Sequence, residues 1–431
     1  MPRIITLLTL CLCIGIPPSA AAFPTLVELA QAAETWNLDL ADADQRLREV
    51  QADLTVTRAR LLPSFIVAGQ YTLNQEEVST ALPTGDLTAP PTEVVFTQMN
   101  QVQVTAQIQV PILNLPDRAA VRSGALQTTS AEVQREVVAE NLAEALVQAW
   151  FQVLVADAVL EQAERSRQTA QDNLDTAAAR ATAGLATELD VLRAQADVAS
   201  ADQVIADAGL ARTLARRNVR TLTGMEVEDA APELTASLEP AAALQDFMPG
   251  IERRARFAQA DVTAEQAQAE VLRSRQAWYP TLSAVAQEFV TNASGFNPTA
   301  FFSVSLQLNW SLNFGTARSV RAAEVRLEAA ELTEERTRRA AEDAVFEAWH
   351  TLEARRQRAL AVRVQQQAAD DAARVARERF SGGTGTQLDV SQAERDAFVA
   401  RVTGIQADAD WLLTLALLQL RSGTPLTEVR L

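Results

Sequence analysis

Val102-Gln103-Val104-Thr105-Ala106-Gln107-Ile108-Gln109-Val110 alternates without a break. Val102, Val104, Ala106, Ile108 and Val110 fall on one face of an extended chain, and Gln103, Thr105, Gln107 and Gln109 on the other. Residues 303–312 repeat the pattern, with Val304, Leu306, Leu308, Trp310 and Leu312 set against Ser303, Ser305, Gln307, Asn309 and Ser311. A half-buried strand of a soluble sheet alternates in the same way. Here the polar face carries amides and hydroxyls but no charge, as a water-filled lumen tolerates. Aromatics also gather near the strand ends: Phe96, Trp278, Tyr279, Phe301, Phe302 and Phe314. Both features point to strands with one face in lipid and the other in water.

The two strands occupy matching places in a duplicated chain. With a shift of 199 residues, Asn114 falls on Asn313, Val121-Arg122 on Val320-Arg321, and Ala149-Trp150 on Ala348-Trp349. Arg180, Gly184, Thr187, Leu189, Asp190 and Val191 fall on Arg379, Gly383, Thr386, Leu388, Asp389 and Val390, and Gly224 falls on Gly423. Upstream, Arg58-Ala59-Arg60 and Pro63 match Arg273-Ser274-Arg275 and Pro280 at a slightly larger offset. The connecting segments absorb that difference.

Each repeat reads in the same order. A helix over residues 25–61 or 245–278 runs into Pro63 or Pro280. Two strands follow, at about 63–73 and 102–112, then at about 280–290 and 302–312. Residues 74–101, with Pro83, Gly85, Pro90 and Pro91, read as a loop, as do residues 291–300, with Gly295 and Pro298. A long helix over 117–180 or 316–379 ends in a tip turn at 182–186 or 381–385. A return helix then runs to Gly224 or Gly423, each placed to cap it. The expected division is a leader over residues 1–22, a first repeat over 23–240 and a second over 241–431.

The strand count forces company. Four strands cannot close a membrane barrel, whose minimum is about eight, and an open edge is not viable in lipid. Three chains would supply twelve. The long helices, roughly 95 Å at 1.5 Å per residue, suit a wall wetted on both sides. Leu142, Leu146, Ala149, Val153 and Leu160 keep a narrow helical seam, and Ala163, Ala170, Ala177 and Ala181 continue it with small residues. The fold class expected is mainly α with a membrane β-barrel: a long antiparallel helical tunnel plus four strands per chain in a 12-stranded trimeric barrel, built by tandem duplication. A plain coiled coil shares the helical pattern.

Composition agrees. Hydrophobic residues make up 48% of the chain but aromatics only 5%, and alanine is the commonest residue in the difference. The net charge of −17 becomes −18 if residues 1–22 are removed, since they carry Arg3 and no acid. An acidic chain without a basic patch argues against nucleic acid as partner. All 38 basic residues are arginine. The apolar run from Ile4 to Ile16, followed by Ala20-Ala21-Ala22, reads as a cleaved secretory leader. Cys11 and Cys13 lie within it, so a disulfide framework and a cysteine metal site are not expected in the mature chain. After residue 22 no stretch is expected to be long and apolar enough for a membrane helix. Asn292-Ala293-Ser294 matches a glycosylation acceptor, a motif too common to carry weight.

The tip motifs are the most specific part of the sequence. They read Arg180-Ala181-Thr182-Ala183-Gly184-Leu185-Ala186-Thr187-Glu188-Leu189-Asp190-Val191 and Arg379-Phe380-Ser381-Gly382-Gly383-Thr384-Gly385-Thr386-Gln387-Leu388-Asp389-Val390. Gly184 and Gly383 permit a tight turn, Thr187 and Thr386 are placed to cap the return helices, and Asp190 and Asp389 lie in the first turn, where a carboxylate suits the helix dipole. With the segments Leu62-Pro63-Ser64-Phe65 and Tyr279-Pro280-Thr281-Leu282, these motifs resemble the TolC family of outer-membrane efflux proteins over residues 24–423. The resemblance implies a homotrimer in outer-membrane lipid with a periplasmic helical tunnel. It further implies that a periplasmic adaptor protein meets the tips (Arg180, Gly184, Thr187, Leu189, Arg379, Phe380, Gly383, Thr386 and Leu388) and links them to an inner-membrane pump. Drugs, metals or exported proteins would pass unchanged, in efflux or type I secretion. In the family an aspartate pair lines the constriction. Here Asp389 is followed three residues later by Gln392, and the repeat-one positions are Asp190 and Arg193, so one member of the pair at most is kept. Ringing a pore and capping a helix both remain open for Asp389.

No enzyme is expected. The single histidine, His350, sits in the middle of a long helix, and no G-x-S-x-G, P-loop or H-E-x-x-H motif occurs. No cofactor or metal is called for. The rival readings are a periplasmic adaptor, which would need lipoyl-like and barrel-like domains around one hairpin, and a poreless structural coiled coil, which leaves the alternating strands unexplained.

Overall fold

The computed structural model describes residues 23–82, 91–228, 231–293, 298–311 and 314–429. The expected leader, Pro83, Gly85, Pro90, Ser294, Gly295, Leu312 and Asn313 lie outside the described residues. The chain is mostly helical and divides into two compact units that do not follow the sequence repeats. Of the described residues, those within 23–41, 139–254 and 341–429 make up one, and those within 42–138 and 255–340 the other. Each takes a part of both repeats.

The strand-bearing unit holds β1 (Ser64–Leu73), β4 (Asn100–Leu113), β5 (Thr281–Thr291) and β6 (Ala300–Asn309) in one antiparallel sheet of order β1-β4-β5-β6. β1 and β6 are its edges. The register places Phe65 beside Ile108, Ile108 beside Ala286, and Ala286 beside Val304, so the alternation of each strand adds to one continuous face. On β6, Phe302, Val304, Leu306 and Leu308 stand 64–77% exposed, and Trp310 just past its end is 58% exposed. The opposite face aligns Gln107 with Gln287 and Gln287 with Ser303, and Gln109 donates to the Ser283 hydroxyl at 3.5 Å. β1 and β5 alternate less cleanly in sequence because Ile66, Val285 and Phe289 occupy the polar side; there Phe289 and Phe301 stack with centroids 5.1 Å apart.

Glu288 breaks the apolar face. It lies between Ala106 and Phe302 and is the only charged residue in the four strands. Of the expected aromatics, Trp278 and Tyr279 sit at the entry to β5, where the Trp278 carbonyl accepts from the Trp310 indole at 3.0 Å. Phe314 opens a long helix and is 91% exposed.

Residues 74–101 are not all loop. β2 (Val78–Leu82) and β3 (Thr92–Thr97) pair as a hairpin apart from the sheet. The turn residues dominated the sequence reading, while Val94, Val95 and Phe96 supply the strand propensity.

The helix expected over 25–61 is two helices, α1 (Leu26–Trp36) and α2 (Leu38–Ala59). Asn37 breaks it by capping the second: its side-chain oxygen accepts from the N–H groups of Asp39 and Leu40 at 3.0 and 3.2 Å. The counterpart over 245–278 is broken at Pro249 into α5 (Leu244–Phe247), a 3₁₀ turn at Ile251–Arg253 and α6 (Ala255–Gln276). In the strand-bearing unit, α2 meets the start of α3 (Leu115–Thr182) through an Arg135–Asp44 ion pair of 2.5 Å. There α6 donates from Gln266 to the Leu126 carbonyl at 3.2 Å.

α3 and α7 (Phe314–Ser381) are 68 residues each. Both boundaries of α7 lie 199 positions after those of α3, the offset read from sequence. The return helices are α4 (Glu188–Thr223) and α8 (Gln387–Arg421). Contrary to expectation, α3 carries an 18-residue window apolar enough, by length and composition, to cross a membrane. The expectation weighed continuous apolar runs, and scattered polar residues interrupt this one.

The helical unit has its core where α3 is most apolar. Ala149, Val153 and Ala156 pack with Leu29 of α1, Ala215 and Val219 of α4, and Val227. Phe23 and Trp150 border this cluster, and the Trp150 indole donates to the Pro24 carbonyl at 3.2 Å. Beside it, the nearly buried Asp157 pairs with Arg212 and Arg216, each at 2.8 Å, and accepts from the Ala231 N–H at 3.1 Å. Three donors on one carboxylate fasten the segment that follows α4. Ala163 and Ala177 of the expected seam are buried as well.

Candidate functional site at the helical tips

The two tips lie in the helical unit and are built from the same local chemistry. Gly184 and Gly383 adopt φ of 74° and 80°, the left-handed turn an L side chain resists. Thr187 and Thr386 then start α4 and α8 with full capping boxes. Thr187 Oγ1 accepts from the Asp190 N–H at 3.3 Å, and the Asp190 carboxylate accepts from the Thr187 N–H and hydroxyl at 2.9 and 2.8 Å. Thr386 and Asp389 repeat this at 3.3, 3.0 and 2.8 Å. The threonine N–H, then its hydroxyl, hold both carboxyls below the usual aspartate range; Arg193 contributes at Asp190 and Arg379 at Asp389. The caps therefore keep their charge throughout the neutral range.

The tips differ in how they meet their surroundings. Arg180 crosses from α3 to the end of α7, donating Nη1 to the carbonyls of Phe380 and Ser381 at 2.7 and 2.9 Å. Its guanidinium lies 4.8 Å from the centroid of the Phe380 ring, which is buried. The equivalent Arg379 is exposed, and its side chain makes no hydrogen bond or ion pair among the described residues. Asp389, Gln392, Leu189 and Leu388 are also exposed, while Asp190 and Arg193 are half-buried. Asp190 and Asp389 are thus each committed to their own helix start, and the Gln392 side chain has no partner among the described residues.

Sequence reading missed the links just beyond the tips. Ser391 of α8 donates to the Asp197 carboxylate of α4, and Arg377 of α7 pairs with Glu394 of α8. Gln387 is buried as well. Ser391 and Glu394 stand where repeat one has Leu192 and Gln195, so a comparison that kept only shared residues passed over them. His350 is exposed, with the Phe346 and Trp349 rings 4.3 and 4.9 Å away. Among the described residues no group of three His, Cys, Asp or Glu side chains is placed to hold a metal ion.

Two hairpins of like build, carried on 68-residue helices, and a four-stranded sheet define the fold to compare. The family model for outer membrane efflux proteins matches residues 29–225 and 251–424. The chain belongs to the outer membrane efflux protein family. This places it in the outer membrane, with its helices on the periplasmic side. Comparison with curated protein sequences gives no match.

Among solved structures, the fold is similar to that of CusC, from crystal structures concerned with folding and transmembrane channel formation. That match has 17% identity and a TM-score of 0.77, and covers 93% of this chain and 92% of that one. The outer membrane protein VceC of Vibrio cholerae matches at 19% identity and a TM-score of 0.74, covering 93% of this chain and 97% of that one. The open-state MtrE outer membrane channel of Neisseria gonorrhoeae matches at 19% identity and a TM-score of 0.74, covering 94% and 90%. At these identities the likeness speaks for the fold. The family and these neighbours are channel proteins, not enzymes.

Proposed function

We propose that three copies of the chain close one twelve-stranded barrel and one helical tunnel, through which efflux or type I secretion substrates leave unchanged. The observation that carries this reading is the four-stranded sheet with two edges, one apolar face and one uncharged polar face. Such a sheet is untenable in lipid alone, and edge-to-edge closure by copies of itself removes both edges. In this reading the apolar face meets lipid and the glutamine and serine ladder lines the lumen.

The tips form the inner end. Leu185, Leu189, Leu192 and Leu388 leave an exposed apolar surface around the turns, which suits a periplasmic adaptor that couples the channel to an inner-membrane pump. Asp389 and Gln392 would ring the constriction, with Asp190 and Arg193 behind them. A ring of carboxylates favours cations, and the capping bonds would hold it ionised.

Single-channel recording in planar bilayers tests the reading. Low-conductance steps with a cation preference that falls in Asp389→Ala are expected. A pore indifferent to Asp389→Ala would leave that residue a cap only. Protein that is soluble without detergent and never inserts would refute the channel and favour a structural coiled coil or an adaptor.

A further inference from the structure

Phe289 and Phe301 put two aromatic rings on the polar face of the sheet. On β4, Gln103, Thr105 and Gln107 are half-buried, whereas Val102, Val104 and Ile108 on the other face are exposed. Exposure divides in that way when a sheet curves around its polar face. On this concave face the register aligns Thr105, Phe289 and Phe301 across β4, β5 and β6. In the four strands no other aromatic residue stands on it.

A cross-strand aromatic pair steadies a hairpin equally well from the lipid face, where its rings stay out of water. Phe301 and Phe302 are consecutive, so one ring of the two faces the lumen whatever the register. Phe289 joins it from the facing strand, with centroids 5.1 Å apart and planes inclined at 37°. Both residues are half-buried, which leaves part of the pair open to the bore. The pair lies beside the β5–β6 connection, close to Thr291 at the end of β5 and Ala300 at the start of β6. α2, α3, α6 and α7 all join the sheet at its opposite end, so the pair marks the outer mouth.

Twelve strands about 4.8 Å apart and tilted by ~40° enclose a backbone bore about 24 Å across. Phenylalanine side chains reaching in from its wall do not meet in the middle, so they coat the mouth without plugging it. Building on the channel reading, we propose that the three Phe289–Phe301 pairs form an aromatic collar at the outer mouth, which binds flat aromatic solutes by stacking as they leave. The polar face of the four strands carries no charged side chain. Flatness therefore sets the preference, and among flat solutes the negative ring faces favour cations.

Equilibrium dialysis of proflavine, a flat aromatic cation, against the trimer in lipid nanodiscs tests the collar, with empty discs as the blank. Saturable binding is expected, displaced by caffeine (flat and neutral) and not by tetrapropylammonium (aliphatic and cationic). Phe289→Leu and Phe301→Leu should weaken it about two- to tenfold. Phe302→Leu, which removes a ring from the lipid face of the same strand, should leave it unchanged. Equal loss in Phe302→Leu, displacement by tetrapropylammonium as effective as by caffeine, or uptake no greater than by empty discs would overturn the collar. Planar-bilayer conductance separates the two readings. Protein that conducts but shows no such binding loses the collar and keeps the channel, and protein that never conducts loses both.

Discussion

Glu288→Leu should stabilise the protein in lipid. Glu288 stands on the apolar face of β5, between Ala106 of β4 and Phe302 of β6, with Ala286 and Val290 as its neighbours along the strand on that face. The position is inside the sheet, away from both edges. A charged side chain on the lipid face of a barrel costs about 2–4 kcal/mol for arginine or lysine at the midplane, and less for a carboxylate. Removing that cost should yield about 1–3 kcal/mol per chain, repeated three times in a barrel shared by three chains. Gln287 provides the contrast. It is one residue away on the opposite face, between Gln107 and Ser303, and Gln287→Leu would put an apolar side chain in the lumen. It should change stability by no more than about 0.5 kcal/mol. Guanidinium titration of both variants in lipid vesicles, at unchanged slope, reads the difference as a shift in midpoint. If Gln287→Leu stabilises as much as Glu288→Leu, or if Glu288→Leu destabilises, the assignment of lipid and lumen faces is wrong.

Three other outcomes follow from the helical unit. Thr386→Ala removes the hydroxyl that accepts from the Asp389 N–H and should loosen the first turn of α8 by about 0.5–2 kcal/mol, seen as faster amide exchange there. Because Asp190 and Asp389 have folded-state pKa values below the ordinary 3.8, their contribution is fully present above that value. It is lost as the pH falls through the lowered pKa, so carbon-13 titration should show both carboxyls ionised from pH 7 down past 3.8. Asp157→Ala should cost about 1–3 kcal/mol in chemical denaturation, since it removes the carboxylate shared by the part-buried Arg216 and the more exposed Arg212.

Much of this architecture could be read from the residues. The 199-residue offset predicted the matching limits of α3 and α7 because helix length is set by continuous pattern and not by distant contacts. The tips were legible for the same reason: Thr187 and Asp190, and Thr386 and Asp389, act on their own backbone within three residues. The interruption at Asn37 was less visible, because asparagine inside a helical pattern becomes a cap only where the next helix starts afresh. The β2–β3 hairpin was hidden by its prolines and glycine. Least legible were the contacts between repeats. Arg180 on the α7 carbonyls and Ser391 on Asp197 join positions about two hundred residues apart, and neither residue's local pattern names its partner.

The arginine-only composition sets the chemistry of the ion pairs. Every basic member, from Arg135 with Asp44 to Arg212 and Arg216 with Asp157, is a guanidinium. On α7, Arg356 donates through both Nε and Nη2 to Glu353, at 3.0 and 2.8 Å, and with Gln357 holds that carboxyl at about 2. An ammonium in these places would discharge near pH 10.4, whereas guanidinium stays charged beyond about 12. The periplasmic helices are thereby fitted to keep their electrostatic ties under alkaline stress.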